Sequence, residues 1–469
     1  MSTARQTAPR IDPALVAGVI AQLATSFGAR VATGQSVREQ HGRGEAMDPS
    51  LPPDAVVWPE STAEISEIVT LCAASGVPVI AFGAGTSLEG HVSAPFGGIC
   101  IDLSRMNQVL AVNAEDGDCV VQPGVTREAL NDYLRDTGLY FPVDPGANAT
   151  IGGMVSTRAS GTTTVMYGAM PQNVLALEVV LPTGRVIRCG TRARKSSAGY
   201  DLVRLFTGAE GTLGIISEIT LRLRPHPEEI GAATCAFGSI EGAVATVTEL
   251  AQMGAPMARM EFLDEVQMRA CNKQSGLGLP ETPTLFLEFH GTVASVKEQA
   301  GRAQEVAASH GGHAFAWATR QEDRTQLWKA RHSAYYASLA LRAGCVSVVA
   351  DVCVPISQLA ANVAAARADI DRAGLLAPIV GHVGDGNFHV IFLLDPDDAA
   401  ERERMVGVYD AMVDRAQAAG GTCTGEHGIG MGKREKLVAE FGPETVELMR
   451  AVKGAWDPRG IMNPGKMFL

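Results

Sequence analysis

No Cys-x-x-Cys pair occurs among the nine cysteines, which fall at positions 72, 100, 119, 189, 235, 271, 345, 353 and 423. That excludes a cysteine-built zinc site or an iron–sulfur cluster. The count is odd and the spacing fits no disulfide framework, so reduced thiols in a reducing compartment are expected. No apolar run reaches the ~18 residues that a bilayer-spanning helix needs. The N-terminus lacks a charged-then-apolar secretory pattern. Arg5 and Arg10 in an acid-poor start are the one hint of a mitochondrial transit segment. Asp12-Pro13 followed by Leu15, Val16, Val19, Ile20 and Leu23 reads instead as a capped helix. Positive charge is also short: 39 Lys and Arg against 51 Asp and Glu leave a net −12. Such a chain has no general attraction for nucleic acid or anionic lipid.

What the chain does have is glycine, 51 residues of it, in an otherwise ordinary globular balance of 46% apolar and 19% charged residues. Many glycines imply tight turns or backbone close to a ligand. The length suits two or three domains. Residues 1–52 read as an N-terminal helix and a polar arm. A first domain over 53–228 opens with a βαβ pattern: a short strand, a helix capped at Ser61 or Thr62 with Glu64 behind it, and an apolar strand at 77–82. "LALEVVLPTGRVIRC" predicts a hairpin, and "GIISEITLRLRP" a strand ended by Pro225. A second α+β domain is expected over 229–440, with helices near 239–254, 293–310, 320–343 and 357–374. Residues 441–469 return to the first domain.

Three loops of small residues stand out in the first domain. "AFGAGTSLEG" lacks both the lysine of a P-loop and the sixth-position glycine of a dinucleotide fingerprint. Its backbone amides and hydroxyls still suit a pyrophosphate, with a plain strand-to-loop turn as the competing reading. "PVDPGANATIGGMVSTRASGTTTVMYG", 142–168, reads as a long loop without structure, which in a compact domain is usually functional. "GAEGTLGIISE" is the third. In this order the three motifs resemble the FAD-binding domain of the vanillyl-alcohol oxidase/p-cresol methylhydroxylase flavoprotein superfamily. The resemblance implies that Gly83, Ala84, Gly85, Thr86, Ser87 and Leu88 hold the pyrophosphate. Pro145, Gly152, Gly153, Ser156, Thr157, Ser160 and Gly161 would line the flavin. Glu210, Gly211, Thr212, Gly214 and Ile216 would pack along the dinucleotide. His91 is displaced from the position at which some members attach FAD covalently, so non-covalent FAD and an exposed loop histidine are expected.

"GHVGDGNFH" carries two histidines around a tight acidic turn. If "IVGHV" and "FHVIF" pair through a loop of Gly384–Asn387, His382 faces His389, with Cβ atoms ~5 Å apart. Two imidazoles at that spacing can share a cation. "GTCTGEHGIGMGK" offers a third ligand, Glu426, among glycines. A hydrogen-bonded pair of buried histidines is the alternative. The set His382, His389 and Glu426 suits zinc, manganese or iron. His427, beside it, suits a general base. Arg331 in "LWKARHSAYYASL", on a helix with Tyr335 one turn on, suits a carboxylate, although a solvated helix arginine is the simpler reading.

The segments "MARMEFLDEV", "PTLFLEFHG", "ARHSAYYA", "DVCVPIS", "GHVGDGNFH", "GTCTGEHGIGMGK" and "NPGKMF" resemble the substrate domain of FAD-dependent D-2-hydroxy-acid dehydrogenases, in particular their cytochrome-type D-lactate branch. The resemblance runs from about residue 50 nearly to the end. It implies an α+β fold of two parts and oxidation of a short D-2-hydroxy acid, D-lactate to pyruvate, by hydride transfer to flavin N5. His382, His389 and Glu426 would bind the metal, His427 act as base and Arg331 hold the carboxylate. Asn463 and Lys466 would lie near the flavin. Related enzymes that take 2-hydroxyglutarate carry polar residues where this chain has Ile391 and Val348–Val349. An unpaired distal carboxylate buried there would be costly. The electron acceptor is expected to be a cytochrome c, quinone or electron-transfer flavoprotein. A glycolate-oxidase-type subunit and a non-enzymatic metal-binding scaffold are the alternatives. A cytoplasmic protein is expected, with attachment to an inner membrane and a mitochondrial location as alternatives, and a homodimer left open.

Overall fold

In strands buried on both faces, apolar residues run on without alternation, and Ala55–Val57, Val79–Phe82 and Ile99–Asp102 read this way. The computed structural model describes residues 11–45, 51–276, 278–318 and 320–468. Arg5 and Arg10, and residues 46–50 of the arm, lie outside the described residues. The chain divides into two units: residues 1–160, 169–226 and 426–469, and residues 161–168 and 227–425.

The first unit holds β1 (Val31–Ala32), β2 (Ala55–Val57), β3 (Val79–Phe82) and β4 (Ile99–Asp102) in the order β1-β2-β4-β3. β4 separates the two strands of the βαβ pattern and runs parallel to both. The connecting helix, Thr62–Ser75, is capped by Ser61 Oγ, which accepts from the Glu64 amide at 3.3 Å. Helix Pro13–Phe27 is capped by Asp12. Its Val16, Val19, Leu23 and Phe27 join the core of this sheet.

Further along come β5 (Val109–Asn113), β6 (Asp118–Val121), β7 (Leu139–Tyr140), β8 (Val174–Val180), β9 (Val186–Gly190), β10 (Ile215–Arg222) and β11 (Arg224–Pro225). Five of them form an antiparallel sheet, β5-β6-β10-β8-β9, and β7 pairs with β11. The β8–β9 hairpin turns at "PTGR" as expected, with Gly184 at φ +78°. The loop expected over 142–168 is not structureless. Thr150 accepts from the Gly153 amide and starts a helix, Ile151–Thr157, whose Ile151, Met154 and Val155 are buried. A capping threonine ahead of small helix residues outweighs the pair of glycines.

The second unit is one seven-stranded sheet built from β12 (Glu229–Phe237), β13 (Met257–Leu263), β14 (Thr284–Gly291), β15 (Gly312–Ala318), β16 (Val346–Cys353), β17 (Ile379–Gly381) and β18 (Asn387–Leu394). All pairs are antiparallel, in the order β15-β12-β14-β13-β17-β18-β16. Helices Ile240–Gln252, Val293–Ser309 and Leu359–Arg372 match the expected stretches. The stretch at 320–343 is two helices, Gln321–His332 and Ala334–Leu339, broken at Ser333, so Arg331 and Tyr335 do not share one. Helix Glu265–Ser275 has no counterpart in the sequence reading. The chain rejoins the first unit at Glu426, not at 441.

One buried ion pair staples the first sheet to the arm before it. His41 Nε2 lies 2.9 Å from Asp102 Oδ2, and its Nδ1 lies 2.8 Å from the Val37 carbonyl. Both ring nitrogens meet acceptors, so both carry hydrogen and the ring is an imidazolium. Burial pulls His41 down, but Asp102 and the Val37 carbonyl raise it overall. Burial pushes Asp102 up, but the bonds from His41 and Ser104 hold it below its ordinary value. The His41 contribution to stability is complete below its ordinary 6.5 and is lost as pH rises through the raised value. That of Asp102 is complete above its ordinary 3.8 and is lost as pH falls through the lowered value. Asp102→Asn is therefore expected to depress the melting temperature most between pH 3.8 and 6.5. Thermal melts across pH check this, and a gap that grew towards alkaline pH would overturn the imidazolium.

Candidate active site

In the first unit the loop after β3 turns at Gly85, φ +71°. A Cβ on Gly83 would stand 2.2 Å from Thr150 Oγ1, the hydroxyl that caps helix Ile151–Thr157. Only glycine lets this loop lie on that cap. Ser87 Oγ is buried without a hydrogen-bond partner among the described residues. Such a hydroxyl, in a glycine-rich loop, fits a phosphate oxygen. A cleft of about 570 Å³ lined by Glu39, Gln40, Arg43, Gly44 and Gly85 opens beside it. The hydroxyls of Ser156 and Thr157 donate to the carbonyls of Gly152 and Gly153, one turn back in the helix. Gly161 N donates to Thr164 Oγ1. Thr212 donates to the Ala209 carbonyl, and Ile216 is buried in β10.

Glu426 and His427 stand in the loop between helices Ala399–Ala418 and Arg434–Trp456. Glu426 Oε2 accepts from Ser160 Oγ at 2.5 Å, and Glu426 Oε1 lies 3.9 Å from His427 Nε2. The loop continues under the carboxylate of Glu210, which accepts from the amides of Ile429 (2.7 Å) and Gly430 (2.9 Å). His91 is not an exposed loop residue. It is buried, with Nε2 3.3 Å from Glu210 Oε2. Burial pushes Glu210 up, but His91 and the two amides outweigh it and hold the carboxyl below its ordinary value. Asn463 Nδ2 donates to the carbonyls of Glu210 and His91, and Lys466 Nζ to those of Ser93 and the Asn463 side chain. Burial pushes Lys466 down to about 7.

In the second unit the histidine hairpin has a different register from the one expected. Val380, not His382, stands opposite His389. A short 3-10 turn, Val383–Asp385, and Gly386 at φ +79° close it from His382 to Asn387. The shift is two residues, and an even shift keeps side chains on their face. His382 and His389 become diagonal neighbours, with ring centroids 5.4 Å apart and planes at 84°. His382 Nδ1 lies 2.9 Å from Glu261 Oε1. A carboxylate only accepts, so Nδ1 carries the hydrogen and Nε2 keeps its lone pair for a ligand. His389 Nδ1 lies 3.5 Å from Asp351 Oδ1, which also takes Asn387 Nδ2 at 2.7 Å, while Thr424 donates to Oδ2. Two neighbouring imidazoles, one oriented by Glu261 and one beside Asp351, fit a divalent cation.

The other Glu261 oxygen accepts from Arg331 Nη2. Arg331 is buried, and its Nε has no hydrogen-bond partner among the described residues. A buried guanidinium with donors to spare suits a small carboxylate. Further along the same strands lies a polar row that sequence reasoning missed. Arg259 donates to Glu288, Glu288 meets His290 at 2.8 Å, and His290 Nδ1 meets the Tyr167 hydroxyl at 2.7 Å. A charged residue at every second position of apolar strands, 259 and 261, 288 and 290, is the signal that could have found it.

Comparison with known proteins follows the same lines. Residues 53–190 match the family description "FAD binding domain", and 226–467 match "FAD linked oxidases, C-terminal domain". A zebrafish (Danio rerio) protein named "Probable D-lactate dehydrogenase, mitochondrial" is 50% identical over 93% of this chain and 88% of its own length. An Arabidopsis thaliana protein named "D-lactate dehydrogenase [cytochrome], mitochondrial" is 43% identical over 96% and 80%. The solved structure of p-cresol methylhydroxylase with substrate bound has the same fold, with a TM-score of 0.79, 19% identity and 97% of each chain covered.

Glu261→Gln keeps the shape of the side chain and removes the charge that sets the His382 tautomer. It is expected to weaken retention of a divalent ion about tenfold to hundredfold. Ion content per chain after dialysis against graded chelator measures this. Unchanged retention would detach His382 from any ion.

Proposed function

The chain belongs to the FAD-linked oxidase family, and on that premise we propose that it oxidises a short D-2-hydroxy acid, D-lactate foremost, to the 2-oxo acid. The observation that carries the reading is the buried carboxylate of Glu261, shared by Arg331 and His382. It ties an anion-binding guanidinium to a ligand imidazole, as an acid with a hydroxyl beside its carboxylate requires. The loops at 83–88, 145–161 and 210–216 would hold FAD non-covalently, and FAD would supply the hydride acceptor at N5. A divalent ion held by His382, His389 and Glu426 would lower the cost of negative charge on the substrate oxygen. Zinc and manganese suit that set, and iron is a third candidate.

Arg331 fixes the substrate carboxylate, and its Nε and Nη1 are the donors left for it. His427 takes the hydroxyl proton as the α-hydrogen leaves with its electron pair. Fixing both ends of a small acid is where much of the acceleration arises. Val349 stands opposite Ile391 on the sheet face that carries Asp351 and His389. An apolar pair there takes a methyl group and offers nothing to a second carboxylate. Electrons then leave to a cytochrome, quinone or electron-transfer flavoprotein. No helix among the described residues is long and apolar enough to cross a membrane. Nine unbridged cysteines suit a reducing compartment such as the cytoplasm.

His427→Ala is expected to slow flavin bleaching by D-lactate by about a hundredfold or more while FAD stays bound. Stopped-flow absorbance of the anaerobic protein reads both. Full activity in that variant would remove His427 from the chemistry. The methyl contact predicts a kcat/KM for D-lactate about tenfold or more above that for glycolate. The reverse preference would point to a glycolate-oxidase-type subunit.

A further inference from the structure

We infer that Glu210 is a positioning residue for this reaction: its buried carboxylate, through the amides of Ile429 and Gly430, sets the loop that carries His427. The inference rests on the assignment of His427 as proton acceptor.

The geometry is specific. Glu210 adopts φ +54°, a conformation rare outside glycine, and its side chain is 3% exposed. A backbone held this way in a sealed position is there because its surroundings require it. Asn463 fixes it from behind by donating to its carbonyl at 2.7 Å. Oε1 accepts from Ile429 N and Oε2 from Gly430 N, and His91 covers Oε2 at 3.3 Å. The fit against the loop is close: a Cβ on Gly428 would stand 2.7 Å from Glu210 Oε1 and 2.9 Å from His91 Nε2. Gly428, at φ +81°, is the residue directly after His427. The carboxylate thus ends one peptide from the base and holds the next two amides. Glu89 pins the far end of the loop, accepting from Met431 N at 2.8 Å and pairing with Lys433 at 3.0 Å. With the far end fixed, loss of the Glu210 bonds loosens the stretch directly after His427. A base that wanders loses turnover more than substrate affinity, because the loop carries the proton acceptor and not Arg331, the residue assigned to the carboxylate.

The test compares Glu210→Gln, His427→Ala and the double variant, all loaded with FAD and assayed with D-lactate. Glu210→Gln keeps the volume but turns an amide NH₂ against a backbone N–H. It is expected to lower kcat about tenfold to hundredfold, the range for partners that orient a reacting group. KM and flavin content per chain should stay within about twofold, and the double variant should be no slower than His427→Ala. Should Glu210→Gln fail to accumulate, Glu210→Asp carries the same expectation, being one methylene short of both amides. A wild-type kcat in the Gln variant beside an inactive His427→Ala would overturn this inference alone. So would flavin loss with unchanged turnover per bound flavin, which would return the carboxylate to the cofactor. Full activity of His427→Ala would instead end the assignment beneath it.

Discussion

A carboxylate sealed from water must have its oxygens occupied, and whatever occupies them is held in place. Three such acids organise this protein. Glu261 joins His382 to Arg331, Asp351 gathers His389, Asn387 and Thr424, and Glu210 gathers the loop after His427. Glu261 and Asp351 stand in strands, so the orientation of His382, His389 and Arg331 traces back to sheet register, whereas Glu210 acts from the loop ahead of β10. A buried acid that lost one partner would cost about 1–3 kcal/mol or more for the unsatisfied oxygen. Each arrangement is therefore close to all-or-none.

The second unit places polar and apolar work side by side on one sheet face. Arg259, Glu261, Glu288 and His290 occupy β13 and β14, while Val349 and Ile391 face each other between β16 and β18. Leu263, Phe286 and Trp328 close the same region as a hydrophobic cluster. Truncating a ring such as Phe286 to alanine typically costs about 3–5 kcal/mol. That packing lets a fully antiparallel sheet carry a row of polar side chains without yielding to water.

Much of this was legible in the sequence. Helices with a capping residue and an apolar stripe, such as Pro13–Phe27 and Thr62–Ser75, came out where Asp12 and Ser61 put them. The fold class followed from the resemblance that the three glycine loops and the histidine segments bear to known flavoproteins. The hairpin register did not, because a Gly-Asp-Gly-Asn run allows several closures and only the 3-10 turn at Val383–Asp385 selects one. His91 was misjudged because local sequence says nothing of a partner more than a hundred residues away, Glu210. Glu261 went unread for the same reason: a lone acid in "MARMEFLD" gains meaning only when β17 brings His382 beside it.

The chain passes between its two units at 160, 168, 226 and 425. Its last segment lies along β3, where Val79 donates to the Ile461 carbonyl and accepts from Asn463 N. β3 is an edge strand of its sheet, made of Val79, Ile80, Ala81 and Phe82. During synthesis that apolar edge emerges nearly four hundred residues ahead of the segment that covers it. An uncovered edge is a template for wrong pairing. The nascent protein must keep it apart from other strands until the whole second unit has been made.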